Sequence, residues 1–132
     1  MRLDILTAND RIGEYPRSWY AATAETLAPF PSAMGDLTCD VCVVGGGYMG
    51  LSTALHLAER GYDVILLEAH RVGWGASGRN GGQIVHSYSR DIDVIEKNHG
   101  KAVADAMGNM AFEGARVIRE RVAKYNIQCD LK

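Results

Sequence analysis

CDVCVVGGGYMGLSTALHLAERGYDVILLE, residues 39–68, decides the fold. Cys39–Val44 is a short apolar run rich in β-branched residues and reads as a buried parallel strand. Gly45-Gly46-Gly47-Tyr48-Met49-Gly50 interrupts it. From Leu51 to Arg60 the apolar residues Leu51, Ala54, Leu55 and Ala58 recur at helical spacing, and Gly61 supplies a C-terminal stop. Asp63–Glu68 (DVILLE) is a second strand-like run. Strand, helix and strand within about thirty residues make a βαβ unit, for which a right-handed crossover is expected.

Gly45, Gly47 and Gly50 match G-x-G-x-x-G. The pattern alone says little, since with 15 glycines in 132 positions roughly a fifth of shuffled sequences would contain it. Its context says more: it follows a strand, opens a helix, and precedes by about twenty residues an acid, Glu68, at the end of the second strand. Each glycine has a physical task. Gly45 allows the tight turn out of the strand, Gly47 leaves room for a pyrophosphate to approach the backbone, and Gly50 lets the helix lie close to the sheet. Amides at the helix N-terminus would hold the phosphate oxygens. Glu68 would accept hydrogen bonds from an adenosine ribose and repel a 2′-phosphate, which disfavours NADP. The competing reading is a glycine turn that binds nothing.

Downstream, Gly73-Trp74-Gly75-Ala76-Ser77-Gly78-Arg79-Asn80-Gly81-Gly82 holds more glycine than a simple turn needs. Backbone pressed close to something flat or anionic accounts for that, and Ser77, Arg79 and Asn80 add donors suited to a pyrophosphate or a flavin edge. A solvent-exposed loop is the plainer alternative.

Outward from this core, residues 1–37 carry all three prolines and read as an N-terminal arm. A short helix is expected over Ser18–Leu27, with Trp19 and Tyr20 anchoring it to the body. Residues 38–132 read as the N-terminal part of a larger α/β domain. A short helix is expected at Asp91–His99, a break at Gly100 and a long helix at Lys101–Tyr125. In the long helix Val103, Met107, Met110, Gly114, Val117 and Ile118 form a packing stripe. Asn126 would end this helix, and Ile127–Leu131 would open a further strand. An ending inside an element reads as a fragment.

The composition is 47% hydrophobic with a net charge of −2, which gives no electrostatic reason to expect nucleic acid as a partner. No apolar run approaches the roughly 20 residues of a membrane span, and the N-terminus lacks the order of a secretory signal, so a cytoplasmic address is expected. Cys39 and Cys42 spell C-x-x-C, but Cys42 lies inside the first strand, where a thiol behaves as a small hydrophobe; no metal site is expected. His86 is the histidine nearest the glycine cluster and is read as structural. His56 falls on the first helix, and His70 and His99 read as surface positions. No catalytic residue is assigned.

Over Cys39–Gln83 the chain resembles the FAD-dependent amino-acid and amine oxidoreductases, the family of D-amino-acid oxidase, glycine oxidase and sarcosine oxidase. GASGRNGGQ (75–83) carries most of the likeness. With YPRSWYAATA (15–24) it sets the sequence nearest the branch acting on gamma-glutamylputrescine. The resemblance implies a Rossmann-like FAD-binding βαβ unit with additional helices, in a domain that is incomplete here. By it, Gly45, Gly47 and Gly50 line the pyrophosphate, Glu68 holds the ribose, and Ser77, Arg79, Asn80, Gly81 and Gly82 pass along the pyrophosphate and flavin. It further implies oxidation of a small amine or amino acid to an imine, with reduced flavin passing its electrons to oxygen to give hydrogen peroxide. The family's substrate domain and C-terminal FAD segment have no counterpart in these residues, so this chain alone is expected to be inactive and to self-associate through unpaired apolar surface. An NAD-dependent dehydrogenase module and a truncated, non-catalytic remnant are the alternatives.

Overall fold

The computed structural model describes residues 11, 13–25 and 27–132. The expectations for residues 1–10 fall outside that range. The chain divides into two compact units, 1–81 and 82–132.

The first unit is built on the βαβ motif. Strands β1 (Val41–Val44) and β2 (Val64–Leu67) pair in parallel with Val41 opposite Val64 and Val44 opposite Leu67. Both are shorter than the apolar runs that encode them. Asp40 marks one end of the ladder: its amide donates to Asp63 O at 3.0 Å, and its carboxylate accepts from the Asp63 amide at 2.8 Å. At the other end the Gly45 amide donates to Leu67 O at 2.7 Å. Helix α2 (Tyr48–Ala58) joins the strands and packs on one face of the sheet. Val43 points toward α2, within 3.5 Å of where a Cβ on Gly50 would lie. Strand alternation sends Cys42 and Val44 to the other face. There both are exposed, Val44 at 83%, so the reading of β1 as a strand covered on both sides, with Cys42 as a buried hydrophobe, is corrected.

Helix α2 starts three residues before the expected Leu51. Its first turn carries no apolar periodicity to read, because Tyr48 and Met49 are exposed at 62% and 82% and Gly50 has no side chain. Gly61, with φ of +88°, ends the helical turn as expected. In the arm, helix α1 is confined to Trp19–Thr23. Ser18 caps it by accepting from the Ala21 amide at 3.2 Å, and Ala24 is already extended. Trp19 is not an anchor, being 76% exposed, whereas Tyr20, at 45%, faces the body.

The second unit pairs α3 (Ile92–His99) with α4 (Lys101–Lys124), separated by Gly100 at φ +84°. Ile95, Ala104 and Ala115 are the buried apolar residues of the described chain. The covered line on α4 therefore runs through Ala104, Gly108, Ala111 and Ala115, with Met107 and Val117 half-buried beside it. The expected stripe is corrected in part, since Val103, Met110 and Ile118 are exposed at 43%, 64% and 45%. Helix α3 packs on α4, and along the covered line the small residues are the buried ones. On the surface, Lys101 pairs with Asp105 at 2.7 Å, and that hydrogen bond holds the ammonium pKa above its usual value. Helix α4 ends in a Schellman motif, with Asn126 left-handed at φ +49°, its amide on Ala123 O and the Ile127 amide on Val122 O. Residues 127–132 form no strand, which corrects the expected Ile127–Leu131 strand. Asp130 is itself left-handed at φ +51°, a conformation that interrupts extended pairing.

Candidate cofactor site

Beyond β1 the backbone must turn sharply to enter α2. Gly45 takes φ of +100°, which an L side chain rarely adopts. Gly50 then sits so close to the turn that a Cβ on it would lie 1.8 Å from Gly45 O. This is the close helix-to-strand approach expected of the third glycine, and Ala cannot be accommodated there without movement.

Two side chains from beyond β2 reach back to the turn. The Glu68 carboxylate accepts from the Gly46 amide at 2.6 Å through Oε2 and from the His70 amide at 2.9 Å through Oε1. Ser77, on a single 3-10 turn at Ala76–Gly78, accepts the Tyr48 amide on Oγ at 2.9 Å. It thereby caps α2, whose own N-cap residue, Gly47, has no side chain to do so. Among the described residues the amides of Gly47, Met49 and Gly50 carry no protein hydrogen bond. The result is a ring of free backbone donors at a helix N-terminus, bordered by a serine hydroxyl whose proton remains available and by a carboxylate with acceptor sites to spare.

The glycine-rich loop is fixed to this turn. The Gly73 amide donates to Gly46 O at 2.8 Å, and Gly73 itself has φ of +73°. Gly78 presses on the same residue; its Cβ would lie 2.2 Å from Gly73 O. Asn80 donates through Nδ2 to Tyr48 Oη at 2.9 Å and to Ser77 O at 2.8 Å, so it braces the capping serine. The structure thus brings Gly45, Gly47, Gly50, Glu68, Ser77 and Asn80 together. Arg79 lies against Trp74, with Nε donating to Trp74 O at 3.1 Å and its guanidinium 4.6 Å from the Trp74 ring. Gly81 closes the first unit, and Gly82 opens the second at φ +66°.

Sequence reasoning missed Tyr48, Gly46 and Trp74. Tyr48 and Gly46 occupy the unspecified positions of the motif, and a brace between a motif tyrosine and Asn80 leaves no periodic trace. His70 is not the surface residue expected: its ring stacks on Trp74 at 4.0 Å and 7°, and its buried Nδ1 has no partner. His86 is exposed, as a structural residue in its own unit, stacked at 5.0 Å on Phe112. No cluster of three or more potential metal ligands occurs among the described residues, and no described helix is long and apolar enough to cross a membrane.

A parallel βαβ unit with a glycine turn under a helix N-terminus and an acid closing the second strand defines the Rossmann-like class. Residues 40–132 match the FAD dependent oxidoreductase family, and the chain belongs to it. It is 61% identical over 119 residues to gamma-glutamylputrescine oxidoreductase of Escherichia coli, covering 90% of this chain and 28% of that protein. It is 45% identical, with the same coverage, to the probable oxidoreductase OrdL of Haemophilus influenzae. The probable oxidoreductase OrdL of Rhizobium meliloti is 42% identical over 101 residues, 76% of this chain and 24% of that one. The chain thus spans about a quarter of the length of these relatives. No solved structure matches it.

Proposed function

We propose that this chain supplies the ADP-binding unit of an FAD-dependent oxidoreductase that oxidises a small amine or amino acid. The observation that carries the reading is the convergence of Glu68 and Ser77 on the amides either side of Gly47. The Gly47, Met49 and Gly50 amides beside it have no protein partner among the described residues, which supports a pyrophosphate as their acceptor. In this reading the Gly47, Met49 and Gly50 amides and the Ser77 hydroxyl donate to phosphate oxygens. Glu68, held by two backbone amides, accepts from the adenosine ribose, and Asn80 keeps Ser77 in place. FAD, when bound, would supply the hydride acceptor for the carbon bearing the amine.

The 61% identity to gamma-glutamylputrescine oxidoreductase supports an amine of that kind as substrate. On this proposal the amine would give up a hydride and a proton to become an imine, water would hydrolyse the imine to an aldehyde and a free amine, and oxygen would take up the two electrons as hydrogen peroxide. Substrate recognition and the remaining flavin contacts are assigned to the part of the relatives' length that this chain does not span, so these 132 residues alone turn over no substrate. The test is the absorbance spectrum of the full-length natural protein, followed by a peroxide assay over a panel of amines. A flavin band near about 450 nm and peroxide with a polyamine-derived substrate are expected. A protein that purifies and reconstitutes without flavin, or that binds NAD instead, refutes the reading.

A further inference from the structure

Three consecutive residues of the glycine-rich loop are bonded alternately to the N-terminal arm and to the glycine turn. Val72 O accepts from the Tyr15 hydroxyl at 2.9 Å. The Gly73 amide donates to Gly46 O at 2.8 Å. The Trp74 indole N–H donates to Glu14 O at 2.9 Å. A fourth tie comes from Arg71, whose guanidinium donates to Leu27 O and lies 5.0 Å from the Tyr15 ring centroid. Arm and loop enclose a cleft of about 270 Å³ lined by Tyr15, Pro16, Tyr20, Leu27, Val72 and Trp74. The arm therefore does not merely precede the βαβ unit. It grips the loop segment that also bonds the turn through Gly73 and, three residues on from Trp74, presents Ser77 to the helix.

The geometry points to Tyr15 and Arg71 as positioning residues for the pyrophosphate seat. They hold Val72–Trp74 in register with Gly46 and so fix Ser77 over the start of α2, without touching the cofactor. This rests on the proposed FAD site. The physical argument is preorganisation. A loop of this glycine content has many backbone states, and a donor array is effective only when those states are already excluded before the ligand arrives. Tyr15 is half-buried, and its hydroxyl bonds a main-chain carbonyl, so removing that oxygen frees the loop and leaves the aromatic packing in place.

The experiment uses the full-length natural protein with Tyr15→Phe and, separately, Arg71→Met. FAD and ADP affinities are measured by titration, alongside the melting temperature of the cofactor-free protein and amide exchange across residues 71–80. Tyr15→Phe is expected to weaken FAD about fivefold, the scale of one hydrogen bond. ADP should weaken by the same factor, because the effect lies at the pyrophosphate. Exchange in 71–80 should quicken while β1 and β2 keep their protection. Arg71→Met should act in the same direction. If the parent binds FAD and neither variant alters it, the inference is wrong. It is equally wrong if affinity falls only in step with the melting temperature, which marks general destabilisation, or if FAD weakens and ADP does not. A parent that binds no FAD refutes the proposed site itself.

Discussion

Replacing Gly50 by alanine adds one methyl group at the most confined of the described glycines. The new Cβ would sit 1.8 Å from Gly45 O and 3.0 Å from the Gly45 carbonyl carbon. A carbon and a carbonyl oxygen approach no closer than about 3.3 Å even in favourable contacts, so the helix start must retreat by roughly 1.5 Å. Gly45 cannot easily yield instead. Its φ is +100°, and its amide is tied to Leu67 O at 2.7 Å as the last rung of the ladder. Retreat of the helix stretches the bond from the Tyr48 amide to Ser77 Oγ, now 2.9 Å, beyond bonding range. Overpacking costs about 1–3 kcal/mol and loss of the cap about 1 kcal/mol, while alanine returns up to about 1 kcal/mol of helix propensity. The net expectation is a loss of about 2 kcal/mol.

The same substitution at Gly114 provides the control. That glycine lies within α4 with nothing within 4 Å of where a Cβ would lie, so Gly114→Ala should stabilise by about 0.5–1 kcal/mol. Urea unfolding followed by circular dichroism, with amide exchange resolving the two units, reads both. Gly50→Ala should also lower cofactor content. A Gly50→Ala protein as stable as its parent, with α2 protection unchanged, refutes the claim that this glycine is required by sterics.

Three further substitutions separate capping from ligand binding. Ser77→Ala should destabilise α2 by about 1 kcal/mol, seen as faster exchange in its first turn, and should weaken FAD as well. Glu68→Ala removes the acceptor held by Gly46 and His70 and should weaken FAD by about 1–3 kcal/mol in a titration; unchanged affinity would dissociate Glu68 from the ribose. Gly47→Val places its Cβ 3.0 Å from Ser77 Oγ and fills the phosphate approach, so cofactor content should collapse while the far-UV spectrum stays native. Retained flavin in that variant would misplace the pyrophosphate.

The βαβ unit was legible because its signals are local. Apolar runs 41–44 and 64–67, glycine punctuation and helical spacing each act within a few residues, and they agree on one topology. Where the sequence misled, a tertiary partner decided the outcome. Trp19 looks like an anchor by size but is exposed, and the arm is bonded to the body by Tyr15, Trp74 and Arg71, each to a residue more than forty positions away. On α4, hydrophobicity favoured Val103 and Met110, but the positions that are covered carry the smaller Ala104 and Ala115.

The candidate site divides along the same line. Gly45 and Gly50 could be assigned from the motif because their roles are steric and set by the turn itself. Ser77 was named only as a generic donor, and its task at α2 depends on a loop path that no spacing rule encodes. That path follows from Gly73 at φ +73° and from Gly78 pressed on Gly73 O, which together fold the segment back so that Ser77 meets the Tyr48 amide. A side chain at Gly78 would open this fold, carry Ser77 off the helix and uncap α2 from a site remote in sequence. The second glycine cluster is thus as much a part of the helix start as the first, and the two should fail together under substitution.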